Sequence, residues 1–391
     1  MILPPATLGL LGGGQLGCYF VLAARQLGYR IMLLDPDRNS PAGRFADDHL
    51  VADYDDLSAL TRMAGICAAV TTEFESIPAT TLAHLAQFVP VRPNAKAVGI
   101  CQNRSEEKAF LRQHGFPHAP YADIRTEQDI LSADASLFPG ILKAAHFGYD
   151  GKGQSRVLNR DQAVNAYRSL FADTPCVLEK MLPLESELSV VLVRDERGQI
   201  TCFPASENMH SHGILDVSIA PAQGPRLLVG QAEEIARNIA HKLDYIGILG
   251  VEFFVVQGQL YVNEMAPRPH NTGHYTLDAC RTSQFEQQVR ALCGLPLGEI
   301  QHHGASVMVN LLGDLWYRDD ESAPREPDWS ALLSVPNLKL HLYGKQQARP
   351  GRKMGHFTVL GADPEQVYET AMEARAAIGI RDDDPPAVQR R

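Results

Sequence analysis

Two glutamates on neighbouring predicted strands are the most informative side chains in the sequence. Glu252 interrupts the apolar run LGVEFFVV, and Glu264 ends the next strand beside Asn263. A buried carboxylate must be paired, protonated or bound to a metal. A three-residue turn over residues 257–259 would place both carboxylates on one face, whereas a two-residue Gln-Gly turn would separate them. On one face they would form an oxygen site suited to Mg²⁺ and a triphosphate. The alternative is a salt bridge to a nearby arginine.

The segment APRPHNTGHYT follows the second glutamate at once. It concentrates planar hydrogen-bonding groups in a loop stiffened by two prolines: Arg268, His270, Asn271 and His274. Such groups suit a small oxyanion. The alternative is a surface loop that binds nothing.

A second candidate for phosphate chemistry lies upstream. Lys143 ends a predicted strand, and the glycine-rich segment FGYDGKG follows with a further lysine, Lys152. A mobile loop of this kind can close over phosphates with its backbone amides. No G-x-x-x-x-G-K-[ST] motif occurs, which argues against a P-loop NTPase. The alternative is a hairpin with a flexible tip.

Basic residues gather near the C-terminal end, in GKQQARPGRKMGH. The sequence Arg349-Pro350-Gly351 favours a turn, which would let Lys345 and Arg352 converge on one pocket. The chain has a formal net charge of −10, so a basic cluster favours a phosphorylated substrate over general solubility. A solvent-exposed turn is the alternative.

The elements that must position these groups begin with a βαβ unit. ATLGLL predicts a strand, and three glycines follow in G-x-G-x-x-G spacing at Gly12, Gly14 and Gly17, before a helix and the strand RIMLLD. This pattern is typical of dinucleotide sites, with Asp35 in the position of a ribose-binding acid. An NAD-dependent oxidoreductase is therefore one reading, and a tight helix–strand turn without a ligand is another.

Further alternation of strands and helices predicts an α/β domain with a parallel sheet, followed by α+β structure. Helices are predicted near 78–88, 94–114, 160–171, 229–245 and 364–378. Strands are predicted at 68–75, on both sides of the glycine-rich loop, at 176–182, in a meander over 187–207 and in a hairpin around Gln257-Gly258.

Composition narrows the function class. The 391 residues include 46 acidic and 36 basic side chains, which argues against a nonspecific nucleic-acid or anionic-membrane binder. No apolar run reaches the ~18 residues of a membrane span, and the start MILPPATLGLL lacks the basic region of a signal peptide. Seven scattered cysteines without a CxxC motif favour a reduced, cytoplasmic protein.

Four segments taken together resemble a known family. LGLLGGGQLG, FGYDGKGQ, VEFFV with VNEMAPRPHNTGHYT, and RPGRKMGH occur in the order found in 5-(carboxyamino)imidazole ribonucleotide synthases. The resemblance implies an ATP-grasp fold: an N-terminal Rossmann-like pre-ATP-grasp domain (1–104), a lid subdomain (105–187), a catalytic subdomain (188–300) and a C-terminal subdomain (301–391). It also implies ATP and Mg²⁺ as cofactors, 5-aminoimidazole ribonucleotide and bicarbonate as substrates, carboxyphosphate as the intermediate, and a homodimer.

The resemblance also implies roles for individual residues. Those near ATP would be Arg104, Lys143, the flap Phe147, Gly148, Tyr149, Asp150, Gly151, Lys152 and Gly153, the adenine segment Glu179, Lys180, Met181 and Leu182, and Glu187, His210, Asn263 and Glu264. Glu252 and Glu264 would be the Mg²⁺ ligands. Those around bicarbonate and the ribonucleotide would be Glu73, Tyr149, Asp150, Arg268, His270, Asn271, Lys345 and Arg352.

Two positions depart from the family pattern: Phe147 stands where glycine is frequent, and Thr272 stands where serine is common. The main alternative within the enzymes is another ATP-grasp ligase, such as a formate-dependent glycinamide ribonucleotide transformylase or a biotin carboxylase-like protein. The RPHNTGHYT segment favours the carboxyamino synthase. A non-catalytic nucleotide-binding regulator is a further alternative, against which the intact acid pair argues.

Overall fold

The fold is described from a computed structural model of the chain, which covers residues 1–146, 153–171, 174–317 and 323–380. Three β-sheets organise the described residues. No helix among them is long and apolar enough to cross a membrane.

The N-terminal sheet is parallel and has the strand order β3-β2-β1-β4. Its strands are β1 (Thr7–Leu11), β2 (Arg30–Leu34), β3 (Asp48–Leu50) and β4 (Ala69–Thr72). The central strands are nearly continuous apolar runs because helices cover both faces of a parallel sheet. The predicted βαβ unit is therefore present, and the carboxyl ends of β1 and β4 meet at one edge.

The second sheet is antiparallel, with the order β5-β8-β6-β7. Its strands are β5 (Tyr121–Ile124), β6 (Gly140–Ala144), β7 (Gln154–Val157) and β8 (Cys176–Lys180). Strands β6 and β7 flank the glycine-rich loop, as the sequence predicts. Residues 147–152 of that loop lie outside the described residues, so Phe147, Gly148, Tyr149, Asp150, Gly151 and Lys152 stay predictions.

The third sheet has nine strands and runs through the rest of the chain, in the order β14-β13-β9-β11-β12-β15-β17-β16 with β10 on β9. Its strands are β9 (Ser186–Arg194), β10 (Ile200–Cys202), β11 (Ser206–Ser211), β12 (Ile214–Ala220), β13 (Gly247–Val256), β14 (Gln259–Ala266), β15 (Ala305–Leu312), β16 (Leu338–Leu342) and β17 (Lys353–Gly361). Strand β12 pairs with β15, so the predicted catalytic and C-terminal subdomains share one continuous sheet.

Twelve α-helices lie in the described residues. They are α1 (Gln15–Gln26), α2 (Leu57–Ile66), α3 (Ala79–Leu85), α4 (Ala95–Gln102), α5 (Arg104–Gln113), α6 (Glu127–Ser132), α7 (Arg160–Ala166), α8 (Arg226–Lys242), α9 (Thr276–Ala279), α10 (Gln284–Cys293), α11 (Ser330–Leu333) and α12 (Pro364–Ala377). Helix α10 packs its apolar face against α1 and the N-terminal sheet. This packing fixes the N-terminal domain against the large sheet and sets the position of the cleft between them.

The single helix predicted over 94–114 is wrong. Asn103 takes extended backbone angles (φ −123°, ψ 113°) between α4 and α5, and its side chain accepts a hydrogen bond from the N–H of Ser105 at 2.9 Å. Asparagine is a favoured N-cap because its side-chain oxygen satisfies an otherwise unpaired amide. The break starts α5 at Arg104, a predicted site residue.

Candidate active site

The hairpin of β13 and β14 carries the acid pair, and its turn decides between the two alternatives that the sequence leaves open. Val256 pairs with Gln259, and Gln257 (φ 51°) and Gly258 (φ 68°) form a two-residue turn of the kind that suits hairpins. Of the two turns that the sequence analysis leaves open, the chain therefore forms the two-residue one. This register alone would place Glu252 and Glu264 on opposite faces.

A β-bulge restores the expected arrangement. The register shifts between Val251 and Phe253, so that Asn263 and Glu264 together oppose Glu252. Because a bulge inserts one extra residue into a strand, the side chains beyond it change face. The carboxylates of Glu252 and Glu264 consequently lie together, as the sequence analysis predicts, but through a device that the sequence did not reveal.

Three potential metal ligands meet at this bulge. Single donor atoms of Glu252, Glu264 and His270 all lie within 4.8 Å of one another. The amide of Asn263 donates to Glu252 Oε2 at 3.2 Å, and His270 Nε2 lies 3.5 Å from Glu252 Oε1. Burial, and then the neighbouring charge of Glu264, raises the pKa of Glu252. Two crowded carboxylates of this kind fit a divalent cation, which would offset their repulsion.

The alternative to a metal site is a salt bridge to an arginine, and only one glutamate of the acid pair has such a partner. Arg104 Nη1 lies 3.6 Å from Glu264 Oε2. Among the described residues, the polar partners of Glu252 are Asn263 and His270. The acid pair is therefore not a closed salt bridge.

The loop after β14 is buried rather than a surface loop. Its backbone is held by Gln284, whose Oε1 accepts from the N–H of His270 and whose Nε2 donates to its carbonyl, both at 2.8 Å. Burial, followed by the charges of Arg268 and Lys353, lowers the pKa of His270 far below the usual value. This shift favours the neutral imidazole, whose Nδ1 lies 2.8 Å from Thr272 Oγ1 and whose Nε2 is directed at the acid pair.

Two other residues of this loop have different surroundings from those expected. Asn271 exchanges side-chain hydrogen bonds with Asn310 at 2.8 and 3.1 Å, which fixes its amide. His274 is fully buried and packs among aromatic rings of Tyr19 and His356. It is not among the residues that line the cleft, so its inclusion among oxyanion donors is wrong.

A buried group of charges lies within the predicted lid subdomain. Glu179 accepts from Lys143 Nζ at 2.9 Å and lies 3.6 Å from Lys108 Nζ. Burial raises the pKa of Glu179, but the two lysines outweigh burial and lower it to about 2. Lys108, fully buried, also donates to the carbonyl of Asn263 at 3.0 Å. Sequence reasoning missed Lys108 because RSEEKAFLRQ reads as an ordinary amphipathic helix.

The predicted adenine segment has most of its backbone donors in use. The amide of Lys180 donates to Pro120 at 2.9 Å, and that of Met181 donates to Pro139 at 3.0 Å. The carboxylate of Glu179 faces the lysines rather than a base. Beyond Leu182, the cleft is lined by Leu184 and Glu187, and Glu187 lies 2.9 Å from Nδ1 of His210. Roles of residues 179–182 toward adenine stay predictions.

The glycine turn is closed by carboxylates of the chain itself. The N–H of Gly13 donates to Asp35 at 2.6 Å, and those of Gly14 and Gly17 donate to the two oxygens of Glu73 at 2.7 and 2.9 Å. A Cβ at Gly14 would lie 2.4 Å from Glu73. Because these carboxylates occupy the amides at the start of α1, a pyrophosphate has no place there. The dinucleotide reading is therefore wrong.

The basic turn forms as predicted, and backbone carbonyls of the chain hold the side chains of Lys345 and Arg352. Arg352 N–H donates to the carbonyl of Arg349 at 2.9 Å, while Arg352 Nη1 binds the carbonyl of Gln347 at 2.9 Å. Lys345 Nζ donates to the carbonyl of Lys353 at 2.7 Å and lines a neighbouring cavity of ≈ 620 Å³. Arg352 lines neither this cavity nor the main cleft, so no single cavity of the described residues holds both side chains, and their roles toward the substrate stay predictions. Lys353 lines the main cleft instead.

One cleft of ≈ 1110 Å³ collects eleven of the predicted site residues, which is most of those among the described residues. Its lining includes Glu73, Arg104, Lys143, Glu187, His210, Glu252, Asn263, Glu264, Arg268, His270 and Asn271. Sequence reasoning missed further lining residues, Gln15, Glu75, Arg156, His212 and Lys353. Of these, Lys353 carried a signal as part of the basic cluster, and Glu75 stood two positions after Glu73.

Comparisons with known families match three successive segments of the chain. Residues 5–102 match the ribonucleotide synthetase preATP-grasp domain, residues 109–285 match the ATP-grasp domain, and residues 306–370 match the phosphoribosylaminoimidazole carboxylase C-terminal domain. The predicted ATP-grasp fold is confirmed.

Characterised relatives align along nearly the whole chain. The N5-carboxyaminoimidazole ribonucleotide synthase of Brucella melitensis is 42% identical over 359 residues, covering 91% of this chain and 96% of the relative. The enzyme of the same name from Bacillus subtilis is 39% identical and covers 92% and 93%. The resemblance seen in the sequence is therefore confirmed.

Solved structures of proteins with nearly the same name are also similar to this chain. A crystal structure of an N5-carboxyaminoimidazole ribonucleotide synthetase with ADP has a TM-score of 0.88 and 40% identity, covering 96% of this chain and 97% of that one. The Aspergillus clavatus synthase, in complex with ADP and 5-aminoimidazole ribonucleotide, has a TM-score of 0.84 and 29% identity, covering 95% and 98%. The chain belongs to the N5-carboxyaminoimidazole ribonucleotide synthases, a family of ATP-grasp ligases.

Proposed function

We propose that this chain uses ATP and bicarbonate to carboxylate the exocyclic amine of 5-aminoimidazole ribonucleotide in purine biosynthesis. The observation that carries the proposal is the bulge that brings Glu252 and Glu264 together in a large cleft. Family membership supports the choice of substrates, because the Aspergillus clavatus relative was solved with ADP and that ribonucleotide.

The acid pair is the proposed Mg²⁺ site. Glu252 and Glu264 would hold the ion, with Asn263 fixing one oxygen of Glu252. When bound, Mg²⁺ supplies charge neutralisation for the triphosphate. Arg104 and Lys143 add positive charge from the same cleft. Phosphoryl transfer depends on alignment and charge neutralisation more than on a protein base, so the proposal names no nucleophilic residue.

The bicarbonate side of the cleft is formed by Arg268 and the neutral His270. In the first step, a bicarbonate oxygen attacks the γ-phosphorus and ADP leaves, giving carboxyphosphate. Loss of phosphate releases CO₂, and the substrate amine adds to its carbon and gives up one proton. Because carboxyphosphate is labile in water, the flap that the sequence predicts over residues 147–153 would serve to exclude water.

The residues around the ribonucleotide are proposed mainly from the family pattern. Glu73, Asn271, Lys345 and Arg352, with Tyr149 and Asp150 of the flap, are proposed around this substrate on the family pattern. The cleft geometry adds Lys353 to that group. The same pattern favours a cytoplasmic homodimer.

The test is phosphate release from ATP with each co-substrate omitted in turn. We expect release to require Mg²⁺ and bicarbonate and to be strongly stimulated by 5-aminoimidazole ribonucleotide, with formation of the carboxylated product. NADH should neither bind nor be oxidised. Phosphate release that responds to formate and glycinamide ribonucleotide instead would contradict the assignment.

A further inference from the structure

Arg268 is held by a residue of the N-terminal domain. Its Nε donates to Glu75 Oε2 in a very short ion pair, although the two residues lie 193 positions apart. Its Nη1 donates to the carbonyl of Pro269 at 3.1 Å. Nη2 makes no hydrogen bond to a residue in the described part of the chain, and both side chains line the cleft. The guanidinium therefore has one side anchored and one side available to a ligand.

Glu75 is itself fixed and ionised. Gln102, the last residue of α4, donates to the carbonyl of Glu75 at 2.5 Å and also to that of Ile77. Burial acts to raise the pKa of Glu75, but the charge and hydrogen bond of Arg268 outweigh it and the pKa is lowered. A charged carboxylate on a fixed backbone is a suitable anchor for a planar guanidinium.

Other carboxylates compete for the same guanidinium. Burial disfavours the charge of Arg268, but Glu75 first, and then Glu264 and Glu73, raise the pKa of Arg268. Glu264 is a member of the acid pair. If Arg268 moved onto Glu264, it would occupy a cation ligand and withdraw its donors from the cleft. The ion pair with Glu75 keeps Glu264 available for the cation and Arg268 available as a donor in the cleft.

We propose that Glu75 is a positioning residue: it holds Arg268 away from Glu264 and directs Nη2 of Arg268 at the bicarbonate-derived anion. The N-terminal domain would thereby complete an anion subsite built on the large sheet. This inference rests on the proposed function, because it takes bicarbonate as the ligand.

The first variant to test is Glu75→Gln, which keeps the shape and one acceptor but removes the charge. A hydrogen bond to a charged group contributes about 1.5–3 kcal/mol, so we expect the KM for bicarbonate to rise about ten- to a hundredfold. The KM values for ATP and the ribonucleotide should change by less than about threefold, since their proposed contacts lie elsewhere. Steady-state kinetics measures all three KM values, with one substrate varied at a time in buffer from which dissolved bicarbonate has first been removed.

A double-mutant cycle shows whether Glu75 acts through Arg268. In an Arg268→Lys background, adding Glu75→Gln should raise the KM for bicarbonate far less than it does in the wild-type chain. The reason is that the guanidinium held by Glu75 is already absent from that background. Equal effects in both backgrounds would overturn the proposal. The matched control is Glu369→Gln, the same change at an exposed position of α12, which should leave every constant unchanged.

The outcomes separate the inference from the function on which it rests. A wild-type protein without bicarbonate-dependent turnover would contradict the proposed function. An active wild type whose Glu75→Gln variant keeps a normal KM for bicarbonate would overturn the inference alone. A uniform loss of kcat with a lowered melting temperature and unchanged KM values would also overturn it, because it would assign Glu75 a purely structural role.

Discussion

Buried carboxylates occur in two regions of the cleft, and their surroundings differ. At the glycine turn, Asp35 and Glu73 accept three backbone N–H groups at 2.6–2.9 Å. At the bulge, Glu252 accepts one amide hydrogen bond and faces Glu264. The glycine turn has the sequence of a ligand site, but its backbone amides already donate to carboxylates of the chain itself. The two regions therefore differ in the number of donors around their buried carboxylates: backbone amides of the chain hold those of the glycine turn, whereas the acid pair has too few donors to offset two charges.

The largest effect expected from this comparison is on turnover at the bulge. Glu264→Gln removes one ligand charge from the proposed cation site and should lower kcat by about a hundredfold or more, because electrostatic groups in such sites contribute that much. Steady-state phosphate release at saturating Mg²⁺ measures it. Near-normal turnover in both Glu264→Gln and Glu252→Gln would show that the acid pair is structural.

The two regions should respond oppositely when stability is measured without metal. Glu73→Gln replaces one of the two oxygens that accept backbone amides with an NH₂ donor and should lower the free energy of unfolding by about 1–3 kcal/mol. Glu252→Gln relieves carboxylate repulsion and should leave stability unchanged or raise it. Urea denaturation of the metal-free proteins makes the comparison. Equal destabilisation by both variants would remove the distinction between the regions.

A smaller effect is expected on the pH dependence of stability. The pKa of Glu252 is raised by burial and Glu264, so the folded state binds this proton more tightly than the unfolded state. Stability of the metal-free protein, relative to Glu252→Gln, should therefore fall as pH rises above the unfolded value of about 4.3 toward the raised folded value. Unfolding measured from pH 4.5 upward tests the sign. A relative rise in stability over that interval would contradict it.

Saturating MgATP is the control for that pH series. A cation at the acid pair favours the ionised carboxylates, so it should reduce the pH dependence of the difference between the two proteins. An unchanged slope with MgATP would place the cation elsewhere.

Local patterns in the sequence predicted much of the fold. The βαβ unit, the β13–β14 hairpin and α12 follow from apolar periodicity with glycine punctuation. The acid pair was found because a glutamate inside LGVEFFVV conflicts with burial. The same reasoning left two turns open at Gln257-Gly258 and did not predict the bulge at Glu264, which depends on pairing across the sheet and leaves no glycine or proline signal.

Contacts between distant segments were not accessible from the sequence. Burial of Lys108 beneath Asn263 joins α5 to β14 across 155 positions, and Arg268 meets Glu75 across 193. The filling of the glycine turn by Glu73 depends on β4 lying beside β1. Each of these contacts results from the packing of whole elements, whereas sequence patterns report only neighbours along the chain.

The most direct test of the account is to measure Mn²⁺ binding by electron paramagnetic resonance with a non-hydrolysable ATP analogue. Mn²⁺ accepts the oxygen ligands that suit Mg²⁺. The account predicts one protein-bound Mn²⁺–nucleotide complex in the wild type and an affinity at least about tenfold weaker in the double variant Glu252→Gln/Glu264→Gln, in which both ligands lose their charge. Equal Mn²⁺–nucleotide affinity in the two proteins would contradict the claim that the acid pair is the cation site.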